Sequence, residues 1–170
     1  MSKKPIIVFE GIEGSGKSHH VSKVAKYLES KRIGYIKIRE PGGSLNSEKI
    51  RKLILNKKSN FDKNTDLLLY MAARSENIKL IKKFYKKKII LIDRFIDSTI
   101  AYQVYGKKVD FNFINNIHRK ILKGVKPNLV FILKVSIASS RRRLKKRKTK
   151  NRYDNFAQSF YNNAQNAFVK

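Results

Sequence analysis

The sequence predicts an α/β fold in which a parallel sheet is flanked by helices on both faces. Short apolar runs, typical of strands buried on both faces, recur at residues 5–9, 35–39, 89–93 and 129–133. Helical patterns separate these runs, at residues 17–31, 46–56, 65–84, 98–123, 137–148 and 155–168. Alternation of strands and helices is typical of crossover connections in a parallel sheet.

The first apolar run leads into a glycine-rich turn that predicts a phosphate site. Residues 11–18 fit the pattern of a P-loop, in which backbone N–H groups surround phosphate oxygens. Lys17 can reach the outer phosphates, and the Ser18 hydroxyl can bind Mg²⁺. We therefore expect a sheet of the P-loop NTPase type. The ATP-binding residues predicted here are Gly11, Glu13, Gly14, Ser15, Gly16, Lys17 and Ser18.

Length and composition favour one domain over residues 1–170. No apolar run approaches the roughly 18 residues that a membrane helix needs. The chain runs from Met1 almost directly into the first strand, so we expect no signal peptide. The absence of cysteine suits a cytoplasmic protein without requiring one.

The net charge of +28 raises the possibility of nucleic-acid binding. Lysine is nevertheless spread along the whole chain, and we recognise neither a recognition module nor an interleaved aromatic and basic stripe. We expect salt-sensitive, non-specific binding to polyanions. A basic nucleic-acid-binding ATPase is the less favoured alternative.

The third apolar run ends in Asp93-Arg94, which suggests a second phosphate site. A carboxylate at the end of a buried strand is typical of a Walker-B element, and Asp93 could hold Mg²⁺ with Ser18. Arg94 could bind the phosphate of an acceptor through its forked guanidinium. An alternative role for Asp93 is to cap the next helix.

Tyr70 and Arg74 lie four residues apart and therefore share one helix face. A ring that stacks and an arginine that binds a carbonyl would suit a pyrimidine base. A core tyrosine beside a rim arginine is the alternative.

A dense basic segment, residues 141–152, predicts a lid over about 141–153 that closes on the phosphates. A solvated basic helix face is the alternative. Phosphoryl transfer needs positive charge on the transferred group, and the P-loop contains no arginine. We expect Arg147 and Arg152, which flank the lid turn, to be catalytic together with Lys17, Asp93 and Arg94. Arg143 is expected to bind ATP.

Taken together, these motifs resemble the bacterial thymidylate kinases, a family of P-loop nucleoside monophosphate kinases. The resemblance implies transfer of a phosphoryl group from ATP to dTMP with Mg²⁺, in dTTP biosynthesis. Another nucleoside or nucleoside monophosphate kinase is the alternative. The matching segments occur in the family's order and span about residues 6–154: residues 9–18, 39–43, 67–74, 93–98, 101–103 and 126–129.

The resemblance also implies roles for individual residues. Glu13 would contact the sugar of the monophosphate, and Tyr102 would exclude a ribose 2′-hydroxyl. Arg51 would lie near the acceptor phosphate, although a surface arginine is equally compatible with its position. Family members commonly form homodimers. The implied substrate-binding residues are Glu13, Arg39, Pro41, Arg51, Tyr70, Arg74, Arg94, Ser98, Thr99, Tyr102 and Gln103.

The chain departs from the family pattern at three places. His19 stands where the family usually has threonine, and Lys134 replaces an acidic residue often found there. Family members usually continue past the position of Lys170 with a fifth strand and a closing helix. We expect either a fragment or a sheet with an exposed edge.

Overall fold

Parallel strands in the order β2-β3-β1-β4 form the sheet, which confirms the predicted α/β class. The computed structural model describes residues 3–147 and 151–169. The strands are β1 (Ile6–Glu10), β2 (Tyr35–Arg39), β3 (Ile89–Asp93) and β4 (Leu129–Ile132).

Helices lie on both faces of the sheet and begin at polar caps. Ser44, Asp62, Asp110 and Ser136 each accept a hydrogen bond from a backbone N–H in the first turn of the helix that follows. The helices are α1 (Lys17–Ser30), α2 (Leu45–Leu55), α3 (Lys63–Phe84), α4 (Ile96–Thr99), α5 (Phe111–Leu122), α6 (Ile137–Lys145) and α7 (Gln158–Ala167).

The prediction of one continuous helix over residues 98–123 is wrong. Helix α4 passes into a π-helical segment (Ile100–Gly106), and a loop then separates this segment from α5. Lys108 in that loop adopts a left-handed backbone conformation (φ +59°), which a continuous helix cannot contain. The Asp110 carboxylate then accepts a hydrogen bond from the Phe113 N–H and starts α5 as a new helix.

The two predicted C-terminal helices are shorter than expected. Helix α6 ends at Lys145, and Lys148–Lys150 lie outside the described residues. A short 3-10 helix (Arg152–Asn155) precedes α7, because Asn151 and Asp154 form a reciprocal capping box that starts a separate turn. Helix α7 packs on the π-helical segment, where the Phe160 ring leaves no room for a Cβ at Gly106.

The core is built by side chains that alternate between the two faces of the sheet. Ile90 and Ile92 of β3 pack toward Ile78 and Ile81 of α3. On the opposite face, Leu91 belongs to the cluster that contains the apolar side of α1, formed by Val21, Ala25 and Leu28. Because all strands are parallel, their carboxyl ends meet at one edge, where ligands bind in folds of this type.

The prediction that β4 is buried on both faces is wrong. Its four residues are all 37–47 % exposed. The strand pairs with β1 on one side, and no further strand among residues 3–147 and 151–169 pairs with its other side. The Phe131 ring stacks on Phe9 at 5.2 Å between centroids. Within the described residues β4 is therefore an exposed sheet edge, and the expectation that the chain is a fragment stays a prediction.

Within the same described ranges, no helix has both the length and the apolar character needed to cross a membrane.

Leu129→Lys should raise the temperature and concentration at which the chain aggregates. A charge on an open edge opposes pairing with the strand of another molecule. The matched control is Leu53→Lys, which adds the same charge to an exposed position on α2 and should leave aggregation unchanged. Light scattering on heating measures both variants. Equal aggregation of the wild type and Leu129→Lys would show that β4 is not the contact.

Candidate active site

A cleft of about 280 Å³ lies at the carboxyl ends of β1, β2 and β3. The P-loop forms one side, and the residues that follow β2 and β3 form the other. The cleft brings together most of the residues predicted from the sequence. Those on its lining are Glu13, Gly14, Lys17, Ser18, Arg39, Pro41, Arg51, Tyr70, Arg74, Asp93, Arg94, Ser98, Thr99, Tyr102, Gln103, Arg143 and Arg147.

Close approach to neighbouring backbone excludes a side chain at Gly11, and a left-handed backbone disfavours one at Gly16. A Cβ on Gly11 would lie 2.5 Å from the carbonyl oxygen of Leu133. Gly16 has a φ of +101° and caps α1 without a side-chain hydrogen bond. The first N–H groups of α1 therefore face the cleft without a capping side chain, as an anion site at a helix N-terminus requires.

The Lys17 side chain is buried against the P-loop backbone. Its Nζ donates hydrogen bonds to the carbonyl oxygens of Gly11 (2.9 Å) and Ile12 (2.7 Å). Burial, together with the nearby positive charge of Arg94, lowers the pKa of Lys17 to about 7, against the opposing effects of Glu13, Asp93 and Glu10. A bound polyphosphate would favour the charged form of this lysine.

Ser18 and Asp93 meet at the end of β3. The Ser18 hydroxyl donates to Asp93 Oδ2 at 2.5 Å. In the part of the chain that the structure describes, no cluster of three His, Cys, Asp or Glu side chains could hold a metal by itself. Mg²⁺ commonly takes one or two protein oxygen ligands and completes its shell with phosphates and water. The Ser18 hydroxyl and the Asp93 carboxylate fit that requirement.

Arg94 connects the P-loop to the residues that follow β3. Its Nη1 donates to the carbonyl oxygen of Gly11 (2.9 Å) and to Ser98 Oγ (3.2 Å), and its Nη2 donates to Glu13 Oε1 (2.9 Å). The left-handed backbone of Arg94 (φ +70°) turns the side chain back over the P-loop. The Tyr102 hydroxyl donates to the other oxygen of Glu13.

The charges of Glu13 and Arg94 stabilise each other in this buried setting. Burial raises the pKa of Glu13, but the attraction of Arg94 and Lys17 and the Tyr102 hydrogen bond outweigh burial and lower it. Burial opposes the charge of Arg94, yet the neighbouring carboxylates and Tyr102 raise its pKa. Both side chains are therefore ionised near neutral pH.

Arg74 is fixed by three groups around its guanidinium. Nε donates to Glu40 Oε2 (2.7 Å), Nη1 to His118 Nε2 (2.6 Å) and Nη2 to the carbonyl oxygen of Phe95 (2.7 Å). Burial and the charge of Arg74 lower the pKa of His118 to about 3, so its ring is neutral and can accept this bond. Tyr70, one turn earlier on α3, lines the same cleft.

Arg51 lies at the cleft and contacts the loop after β2. Its Nη1 donates to the carbonyl oxygen of Pro41. Burial and the nearby Arg39 lower the pKa of Arg51 to about 10, which leaves it charged near neutral pH. Arg39, Pro41 and Arg51 thus form one basic wall. His19 and Lys134, the two side chains that depart from the family pattern, are exposed.

Two of the lid arginines considered above lie at the cleft, and the third lies against a buried carboxylate outside it. Arg143 donates to the carbonyl oxygen of Gly14 (2.7 Å), and Arg147 lies at the cleft while contacting Asp154 Oδ1 at 3.2 Å. Arg152 is not on the cleft lining and instead contacts the buried carboxylate of Asp66. Lys148–Lys150, within the predicted lid, lie outside the described residues.

Several residues that hold the site together were missed by the sequence analysis. Glu10 is fully buried and accepts hydrogen bonds from the backbone N–H of Phe95 (2.8 Å) and from both the N–H and the hydroxyl of Ser98. Glu10 and Glu40 each stand at the end of a strand, a signal that could have identified them. His118 and Asp66 lie inside helical patterns with no local signal.

A phosphate-binding turn, a serine–carboxylate pair and a second set of arginines across one cleft define a P-loop phosphotransferase with a phosphate-bearing acceptor. The family model described as thymidylate kinase matches residues 9–170. The chain belongs to the thymidylate kinase family. It is accordingly an ATP-dependent dTMP kinase, and the alternative functions are not favoured.

Individual relatives agree with this assignment. The chain is 37 % identical over 142 residues to the thymidylate kinase of Kosmotoga olearia, covering 82 % of this chain and 68 % of the relative. It is 39 % identical over 158 residues to that of Mesoplasma florum, covering 91 % and 75 %. The crystal structure of thymidylate kinase from Ehrlichia chaffeensis superposes with a TM-score of 0.78 at 33 % identity, covering 99 % and 86 %.

Binding of ATP should take up a proton above neutral pH, because Lys17 changes charge. Its pKa of about 7 leaves it mostly neutral at pH 8 before binding, whereas the polyphosphate holds it protonated. At pH 6 it is protonated in both states, so uptake should vanish there. Calorimetry in buffers of different ionisation enthalpy measures the proton count. Lys17→Met is the control, and its proton uptake on ATP binding should no longer differ between pH 6 and pH 8 through this residue. Equal proton uptake by the two proteins would show that another group binds the proton.

Proposed function

We propose that this chain carries out dTMP phosphorylation with ATP bound at the P-loop and dTMP bound across the cleft at Arg94. One observation supports this arrangement above all. Lys17 Nζ and Arg94 Nη1 both donate to the same atom, the carbonyl oxygen of Gly11, each at 2.9 Å. Two basic side chains, one from the P-loop and one from the residues after β3, thus lie side by side on the cleft lining, where they could contact a donor and an acceptor phosphate.

The ATP phosphates would lie in the P-loop. Lys17 would bind the outer phosphates, and the free N–H groups at the start of α1 would bind the others. Arg143, which contacts Gly14, would add positive charge at the rim. Ser18 and Asp93 would hold Mg²⁺, which when bound neutralises charge on the phosphates.

The acceptor would lie with its phosphate toward the basic wall and its base toward α3. Arg94, Arg39 and Arg51 would bind the phosphate. Tyr70 would stack on the base, and Arg74, held rigid by three partners, would donate to a base carbonyl. The remaining lining residues after β3 would complete the base and sugar pocket: Ser98, Thr99, Tyr102 and Gln103.

Glu13 and Tyr102 would select deoxyribose. The Tyr102 hydroxyl already occupies one oxygen of Glu13, and Arg94 occupies the other. Both carboxylate oxygens of Glu13 already accept hydrogen bonds, and the Tyr102 ring would clash with a ribose 2′-hydroxyl placed here. An unpaired polar group in such a site weakens binding.

The reaction would proceed by positioning and electrostatics. An oxygen of the dTMP phosphate attacks the γ-phosphorus of ATP in line, and the bond from that phosphorus to the oxygen of the ADP leaving group breaks. Lys17, Arg94 and an arginine of the lid would stabilise the charge on the transferred group. Closure of the lid, about residues 141–153, would exclude water and so limit hydrolysis of ATP.

Arg147 is better placed than Arg152 to act on the transferred group. It lies at the cleft and is 40 % exposed, so its side chain can turn toward a bound phosphate. Arg152 is held by Asp66. A catalytic role for Arg152 stays a prediction, and its position supports an anchoring role.

Three further expectations stay predictions. They are a single domain over residues 1–170, a cytoplasmic location and a homodimer. Leu67, Met71 and Ala73 of α3 are buried in this chain, whereas Leu68 is 50 % exposed, so core packing accounts for only part of the apolar pattern that could indicate a dimer interface.

A panel of acceptors tests the proposed function. With ATP and Mg²⁺, the wild type should release ADP fastest with dTMP and much more slowly with dCMP, dAMP, dGMP and thymidine. Lys17→Ala is the control and should lose transfer, because the cation at the outer phosphates is removed. A coupled assay of ADP release gives the rates. Preference for thymidine over dTMP, or full activity of Lys17→Ala, would contradict the proposal.

Arg147→Ala should lower kcat by at least about 100-fold and change the KM for dTMP by less than about threefold. An arginine that acts on the transferred group stabilises the transition state more than the bound substrate. Arg142→Ala is the matched control, since Arg142 is an exposed arginine on α6 that is not on the cleft lining. Steady-state kinetics measures both. An unchanged kcat would assign the charge to another arginine.

A further inference from the structure

Asp66 is a buried carboxylate that joins three segments of the chain near the base pocket. It lies on α3 and is 0 % exposed. Lys107 Nζ donates to its Oδ2 at 2.5 Å, and the Tyr153 hydroxyl donates to the same oxygen at 2.9 Å. Arg152 forms an ion pair with Oδ1. A lysine and an arginine lie against the carboxylate, which favours its ionised form and fixes it in one orientation.

The fourth partner of Asp66 is Gln103. The Gln103 Nε2 donates to Asp66 Oδ2 at 3.3 Å. A side-chain amide can donate through its nitrogen or accept through its oxygen, whereas an ionised carboxylate can only accept. The nitrogen of Gln103 must therefore face Asp66. Because the oxygen is on the opposite side of the amide, it must face away from Asp66.

The oxygen of Gln103 is a buried acceptor with no partner among the described residues. Gln103 is 1 % exposed and lines the cleft, yet its Oε1 accepts no hydrogen bond there. A buried acceptor without a donor is costly, so a ligand that supplies an N–H would be favoured. Asp66, Tyr70 and Arg74 follow at intervals of four residues, so the carboxylate lies on the helix face that carries the base pocket.

We propose that Asp66 is a positioning residue that fixes the Gln103 amide so that the site selects a pyrimidine with an N–H at ring position 3. Thymine and uracil carry that N–H. Cytosine carries a lone pair there, which would face the lone pairs of Oε1. The inference rests on the proposed function, in which the base lies between Tyr70 and Arg74.

Asp66→Asn tests the proposal. Asparagine has nearly the same shape but offers both a donor and an acceptor, so the Gln103 amide can turn over and present its nitrogen to the base. The ratio of kcat/KM for dTMP to that for dCMP should fall by about tenfold, the effect of one mismatched hydrogen bond in a buried site. Arg74 would still disfavour the cytosine amino group, so the selectivity should fall without reversing.

Lys107→Met is the matched control. It removes a charge from the same carboxylate and leaves the Gln103 hydrogen bond in place, so the dTMP to dCMP ratio should not change. If Asp66→Asn folds poorly, the double variant Asp66→Asn with Lys107→Met keeps the wild-type net charge of the cluster. A variant that lowers both kcat/KM values equally would show a purely structural role and overturn the proposal.

A measurement on the wild type needs no substitution at Asp66. The side-chain NH₂ resonances of Gln103 should be protected from exchange and should change little when dTMP is added, because they face Asp66. Large shifts of the kind expected for a new bond from that NH₂ to the base would overturn the proposal. Failure of the wild type to phosphorylate dTMP would instead contradict the proposed function, so the two failures are distinguishable.

Discussion

The site depends on the burial of two cations, Lys17 and Arg94, on one carbonyl oxygen of the P-loop. Charges placed this close repel, and burial removes the water that would weaken the repulsion. The carboxylates at the ends of β1 and β3 and in the P-loop offset it. Glu13 pairs directly with Arg94, while Asp93 and Glu10 lie close enough to favour the charged form of both cations. These carboxylates favour the charged forms of Lys17 and Arg94, so both remain available to bind phosphate in the cleft.

The surrounding architecture keeps these groups in place. The carboxyl end of β3 supplies Asp93, and the left-handed turn at Arg94 directs the next side chain back over the P-loop. Glu10, in the adjacent strand, binds the backbone that follows this turn. The strained backbone is therefore held from both sides, which is the condition under which such conformations persist. A rigid sheet edge, with a basic segment near its rim, suits chemistry that relies on positioning.

Features with a local pattern could be predicted from the sequence, and features that depend on distant contacts could not. Apolar runs located all four strands, and the glycine spacing located the P-loop. The partners of Arg74 are 34 and 44 residues away from it along the chain. The end of β2 marks Glu40 as a candidate, but no local pattern indicated His118 or that either residue pairs with Arg74. The apolar composition of β4 is typical of a buried strand. Its exposure, however, depends on whether another strand or a helix covers it, and β4 lies at the edge of the sheet. The prediction of one helix over 98–123 was wrong because Asp110 caps a new helix, α5, although the residues around it have a helical pattern.

The neutral ring of His118 makes the base pocket sensitive to acid. Its pKa is about 3 in the folded chain, against about 6.5 for an unperturbed histidine. Between these values the unfolded chain binds a proton at His118 that the folded chain does not. The contribution of this residue to the free energy of unfolding is therefore fully present above about pH 6.5 and is lost as the pH drops toward 3. Protonation would also place a charged ring against Arg74, the residue proposed to bind the base. Acidification would therefore disturb substrate selection and folding through the same imidazole.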